Sequence, residues 1–157
     1  METLSLPIVR IVRENIAVLL THALSRAPLE EIVQTQLSGE FKQFRETAFA
    51  LSEQRAERAC VELALLLRYL DDEQGLSESY EGHSRINFGY VTKGDGTIGD
   101  LKLRDVANKV IHARGFEWDT RLAKSPKLIC LPREDQLWKS ASIDVVALSV
   151  VCGSLIG

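Results

Sequence analysis

Cysteine is scarce in this chain and badly placed for cross-linking: 157 residues hold three, Cys60, Cys130 and Cys152, odd in number, far apart and each inside an apolar run. That pattern argues against a disulfide framework and a zinc site, and fits buried thiols in a reducing compartment. A dominant charge is also missing. Nineteen Lys and Arg against 22 Asp and Glu leave a formal net charge of -3, so no global field draws nucleic acid or an anionic membrane, and any such contact needs a local patch. Long uncharged apolar runs are absent too. The N-terminal stretch METLSLPIVRIVRENIAVLL carries Arg10, Arg13 and Glu14 without a basic lead, which fits neither a signal peptide nor a spanning helix. We therefore expect a cytoplasmic protein without a membrane partner. No high-specificity catalytic or metal-ligand signature occurs, so neither a metal nor a small-molecule cofactor is expected.

What is present is enough apolar residue, 45% of the composition, to bury one core, and we expect a single domain over 1–157. The fold class expected is α+β, mainly α: a helical part over about 1–114, then a small antiparallel meander and an apolar last helix over about 116–157. Ile8 to Arg26 reads as an amphipathic helix with Val12, Ile16, Leu19 and Ala23 on one face. His22 sits among them and is given no role. Pro28, followed by Glu30 and Glu31, reads as the start of a second helix stopped by Gly39. Glu40 to about Asp72 is the longest periodic segment, with Gly75 as its cap. As one helix it would be roughly 48 Å long, so it is expected to bend, to break near Ser52, or to project into an oligomer. Glu53, Arg55, Glu57, Arg58 and Glu62 read as ion pairs on a solvated face. Ser77 to Gly99 reads as a long polar loop with at most a short strand at 86–91.

Two motifs in that loop fail on context. Gly94, Gly96 and Gly99 spell G-x-G-x-x-G with Asp119 downstream, but no alternation of strand and helix precedes them as a dinucleotide fold requires. Read as a calcium loop, the same stretch puts Val91 and Lys93 at ligand positions and Lys102 where the bidentate glutamate belongs. A glycine-rich turn leading into a helix is the better account. After Gly115 the pattern changes to strand-like runs at 116–122, 127–133 and 137–143, and Asp144 can cap a helix over Val145 to Ile156 that is either core or interface. An extended continuation is the competing assignment for that last run.

The segment Asp100 to Gly115 combines helical periodicity with capable side chains. Leu103, Val106, Ala107 and Val110 form an apolar stripe; Arg104, Asn108 and His112 recur every four residues as a second one. A cation, an amide and an imidazole thus share a face, where a histidine can move a proton and Arg104 can stabilise phosphate charge. Asp105 and Lys109 read as an intrahelical pair. A purely structural use is the favoured alternative, with Asn108 and His112 hydrogen-bonded to nearby loop or sheet backbone.

The stretch ANKVIH, Ala107 to His112, resembles the motif of the helical family known as HEPN, whose R-N-x-x-x-H version has the same spacing from asparagine to histidine. The resemblance covers about residues 8 to 114. It implies a helical RNA-directed protein in which arginine and histidine carry metal-independent cleavage, in a cleft between protomers. This chain departs from the motif at the arginine, where Ala107 stands; Arg104 is the nearest upstream arginine.

Three functions follow as expectations. The first is a non-catalytic or weakly catalytic HEPN-like binding protein, acting as a regulatory or defence-associated component. The second is a metal-independent ribonuclease using Arg104 and His112 with Asn108 as an orienting group. The third is a small virus- or mobile-element-encoded protein that blocks a host complex, with Tyr80, Tyr90, Trp118 and Trp138 as contact residues. Partners expected are a second copy of the chain, as a homodimer formed through the long helix and the apolar tail, and a protein or RNA.

Overall fold

The computed structural model describes residues 4–37, 41–83 and 86–156, with the backbone alone for 81–83. The first helix, α1, runs Leu6–Thr35 without interruption, so Pro28 lies inside it rather than opening a second helix. Proline removes one backbone donor, but the turn is held by the Arg26 side chain, which bonds Glu30 across it at 3.0 Å and Glu53 on another helix at 2.6 Å. Buried Val12, Leu19, Ala23 and Val33 continue on both sides of the proline. The expected stop at Gly39 lies outside the described residues.

The long periodic segment does not break: it stays helical from Lys42 to Gln74 and changes its winding just before Ser52. A short α2, Lys42–Arg45, passes into a π-helical turn, Glu46–Leu51, and α-helical winding resumes at Ser52 as α3, Ser52–Gln74. Gly75 caps α3 in the left-handed conformation at φ 65°, a geometry glycine adopts without a Cβ penalty. The expected loop after it is structured. It holds α4, Leu76–His83, and a hairpin of β1, Gly89–Lys93, and β2, Ile98–Asp100, whose turn contains Gly94 and Gly96. The G-x-G-x-x-G spelling therefore straddles a β-turn and a strand rather than a strand-to-helix turn.

The helix α5, Leu103–Ile111, leads into β3, Ala113–Asp119, β4, Lys127–Pro132, and β5, Trp138–Asp144, and the chain closes on α6, Val145–Ser154. The meander joins the hairpin in one antiparallel sheet of order β2-β1-β5-β4-β3. Register aligns Trp118, Leu128, Ile143 and Gly89 in one row and Phe116, Cys130, Ala141 and Val91 in the next. Cross-strand partners share a face, and Leu128, Cys130, Ala141 and Ile143 are buried. The architecture is α+β and mainly helical.

The core lies among the helices and this sheet face. Ala56, Ala59, Cys60, Leu63, Ala64 and Leu67 make the inner stripe of α3, and Val106, Ala107 and Val110 that of α5. Asp144 caps α6 by accepting the Ala147 N–H at 2.9 Å. Val145, Leu148, Val151 and Cys152 are buried, which places most of the apolar tail in the core and leaves Val150 exposed. Among the described residues no helix is long and apolar enough to cross a membrane.

Candidate functional site

Helix α5 carries Arg104 and Asn108, both used against α3, and ends on His112. The Arg104 guanidinium donates to Asp71 at 2.7 Å and to Asp72 at 3.1 Å. The Asn108 side-chain oxygen accepts from Arg68, and Arg68 also donates to Asp72 at 3.1 Å. Asp71 is the anchor. Its side chain is only 4% exposed and accepts the Ser77 N–H at 2.7 Å, tying the end of α3 to the first turn of α4. Burial alone would raise its carboxyl pKa; the Ser77 N–H and Arg104 outweigh that and hold it below the ordinary 3.8. The result is a polar joint where α3, α4 and α5 meet.

His112 stands apart from that joint. It is the C-cap of α5, with its backbone N–H on the Asn108 carbonyl at 3.0 Å and its side chain exposed. Among the described residues Asn108 turns to Arg68 rather than to loop or sheet backbone. Ala107, at the position of the HEPN arginine, is 1% exposed and packs in the core. The expected Asp105–Lys109 pair is also replaced. Asp105 accepts the Lys102 N–H at 3.2 Å, closing the helix N-terminus, and Lys109 places its ammonium 4.5 Å from the ring centroid of Trp138.

The aromatic candidates divide. Trp138 is buried, Trp118 is half-buried, and Tyr80 bonds Ser154 at 2.6 Å through its hydroxyl. Tyr90 is the exposed one.

A second polar cluster, missed in the sequence, joins α1, α3 and β3. His22 is 3% exposed, with Nδ1 2.7 Å from Ser52 Oγ and its ring edge-on to Trp118 at 4.8 Å between centroids. Burial, and then the charge of Arg26, lower the imidazole pKa below 6.5 against the opposing effect of Glu53. Glu57 shifts the other way, raised above 4.5 by burial and by Glu53. The Trp118 indole N–H lowers that carboxyl by proximity but closes no hydrogen bond of normal geometry. Thus Glu53 and Glu57 face inward, and of the expected surface pairs Arg58 with Glu62, at 3.0 Å, is formed on the solvated side.

A neutral imidazole beside a serine hydroxyl has the parts of a nucleophilic pair, but no carboxylate bonds the other nitrogen: His22 Nε2 is buried without a partner. A hydrolytic triad needs that third group to fix and stabilise the imidazole. The cluster instead acts as a clip that fastens α1 to the residue where π winding ends. Two open cavities flank it, one of about 360 Å³ beside Val18, Thr21, Leu51 and Ser52, and one of about 410 Å³ beside Arg26, Trp118 and Arg121. Arg26 and Arg121 are both neutralised by carboxylates, Arg121 by Asp119 at 2.6 Å.

Among the described residues no group of three or more His, Cys, Asp or Glu is arranged to hold a metal ion. The three cysteines are buried, with Cys130 and Cys152 pushed up to about 12 by burial and Cys60 raised well above its ordinary value. Compared with models of known families, with curated proteins and with solved structures, the chain matches none.

Proposed function

We propose that this chain is a non-catalytic binding protein, HEPN-like in its helical part, that acts by occupying a partner rather than by cleaving RNA. One observation carries the reading: Arg104 is bound by Asp71 and Asp72 while Ala107 is buried. Arg104, the one arginine on α5, is thus engaged with carboxylates rather than free to stabilise charge developing on a phosphate beside His112. The exposed apolar side chains of α1 and of the segment after it, such as Leu24, Phe41 and Phe44, supply contact surface for a protein partner. A regulatory or defence role is compatible with a partner-occupying protein of this kind.

The test is incubation of the purified chain with unstructured fluorescent RNA in the presence of a chelator. No cleavage is expected from the wild type. Cleavage that disappears in both His112→Ala and Arg104→Ala would overturn the proposal in favour of the ribonuclease alternative.

A further inference from the structure

The outward face of α1 carries an apolar strip that its own fold leaves uncovered. Between Glu14 and Glu31 the exposed residues are Ala17, Val18, Thr21, Leu24 and Pro28, none of them charged. Leu51, 43% exposed at the end of the π turn, borders this strip, and Ala17, Val18 and Thr21 with Thr47 and Leu51 line the open groove of about 360 Å³. Soluble helices of this length ordinarily present polar side chains outward.

Charge appears at the two ends of the strip and with opposite sign. Arg10 and Arg13 lie at the N-terminal end and Glu31 at the other, all exposed. Arg10 pairs with Glu14 at 2.9 Å; Arg13 and Glu31 form no ion pair among the described residues.

We propose that this face pairs with the same face of a second copy of the chain, the two α1 helices running antiparallel about a two-fold axis near Thr21. Charge decides the direction. An antiparallel pair brings the Arg13 end of each copy to the Glu31 end of the other and sets Val18 opposite Leu24, with Thr21 facing its own counterpart on the axis. A parallel pair would stack Arg13 on Arg13 and Glu31 on Glu31. Such a contact is isologous, so it closes at two copies and does not propagate into fibres. A helix about 45 Å long and about 10 Å across offers on the order of 450 Å². That is below the roughly 800 Å² per partner of a standard interface, so the dimer forms in the micromolar range rather than below it.

The inference is independent of whether α5 cleaves RNA, and its test measures assembly alone. Sedimentation of the full chain from low micromolar to about 200 μM is expected to move from a 17.5 kDa species to one of twice that mass. Leu24→Asp should remain monomeric at every concentration with an unchanged melting temperature, because Leu24 is 42% exposed. Thr21→Cys should form a symmetric disulfide dimer on mild oxidation, since the native thiols are buried. Arg13→Glu should weaken the dimer about tenfold, and adding Glu31→Arg should restore it. Wild type that stays monomeric throughout, or a dimer that survives Leu24→Asp and fails to cross-link through Thr21→Cys, overturns the proposal; the latter result would place the interface elsewhere.

Discussion

The Nδ1 of His22 lies 2.7 Å from the Oγ of Ser52, the residue at which the π-helical turn gives way to α3. π-helical turns are uncommon and need something to hold them. Here the imidazole reaches from the middle of α1 and holds the junction, while Trp118 packs on the same ring from β3. One neutral histidine thereby links three elements.

That neutrality makes stability depend on pH. The unfolded chain takes up a proton near 6.5, whereas the folded pKa is lowered by burial first and by Arg26 second. Lowering the pH through that window therefore favours the unfolded state, and the loss levels off below the folded pKa. Glu57 acts with opposite sign at lower pH: its folded pKa is raised above 4.5, so its stabilisation is present below that value and lost as pH rises through the folded pKa. Urea midpoints should fall between about pH 7.5 and about pH 5.5. In His22→Gln the fall should shrink to what the carboxylates alone contribute. A wild-type midpoint that is flat or rises over this range would refute a buried neutral imidazole.

The joint at Asp71 predicts a particular ranking of variants. Asp71→Ala removes the acceptor of the buried Ser77 N–H and of Arg104, and should cost about 1–3 kcal/mol. Arg104→Ala should lower the melting temperature less, because Arg104 is half in solvent. The double variant should fall short of the sum, since both changes break one contact. His112→Ala should leave the melting temperature within about a degree, as a substitution of an exposed side chain does. Equal losses for all three single changes would show that the joint does not distinguish them.

The stripe of Arg104, Asn108 and His112 was legible because helical spacing alone places residues four apart on one face. Their partners were not. Asp71 and Arg68 stand 33 and 40 residues before Arg104 and Asn108, on another helix, and periodicity says nothing about which helices pack together. The clip of His22 and Ser52 was hidden for the same reason, with 30 residues between its members. One local signal was available: His22 and Arg26 are a turn apart on α1, and Ser52, Glu53 and Glu57 occupy neighbouring turns of α3.

Other differences come from local rules overridden by tertiary contacts. Pro28 looks like a helix start, but α1 runs through it, with Arg26 bonded across it to Glu30 and outward to Glu53 on α3. LSESYEGH is polar and contains glycine, so α4 was read as loop; its first turn is held by the Asp71 carboxylate from outside the segment. The meander was legible because three β-branched and aromatic runs are separated by turn residues. The hairpin that completes the sheet was not, since Gly94-Asp95-Gly96 has the composition of any flexible turn.

Gly89 is where that hairpin meets the meander. It sits at φ +119°, and a Cβ there would come 1.9 Å from the Ser142 carbonyl oxygen. Gly89→Ala must therefore push β1 away from β5 or twist it out of register, at a cost of about 3 kcal/mol or more. Gly115→Ala on β3 is the matched control: nothing lies within 4 Å of its added Cβ, and the change should stay within about 0.5 kcal/mol. Thermal melts of the two variants compare them directly, and equal melting temperatures would mean that β1 does not pair with β5 as described.

The three cysteines offer a probe of the core that needs no substitution. Cys60, Cys130 and Cys152 come from α3, β4 and α6, and all are buried. Disulfide exchange proceeds through the thiolate. With Cys130 and Cys152 pushed up to about 12 by burial, the thiolate fraction at about pH 8 is on the order of one in ten thousand, and the sulfur is also out of reach of the reagent. Native protein should therefore give almost no reaction with an aromatic disulfide reagent, and three equivalents per chain once denatured. Raising urea below the midpoint should accelerate the reaction in proportion to the open population, so that its slope reports how much surface each opening exposes. Equal slopes for all three thiols would mean that helices and sheet open as one unit. A shallower slope for Cys152 alone would identify α6 as the element that leaves first, and rapid reaction of any thiol in the absence of urea would contradict the packing of the core around it.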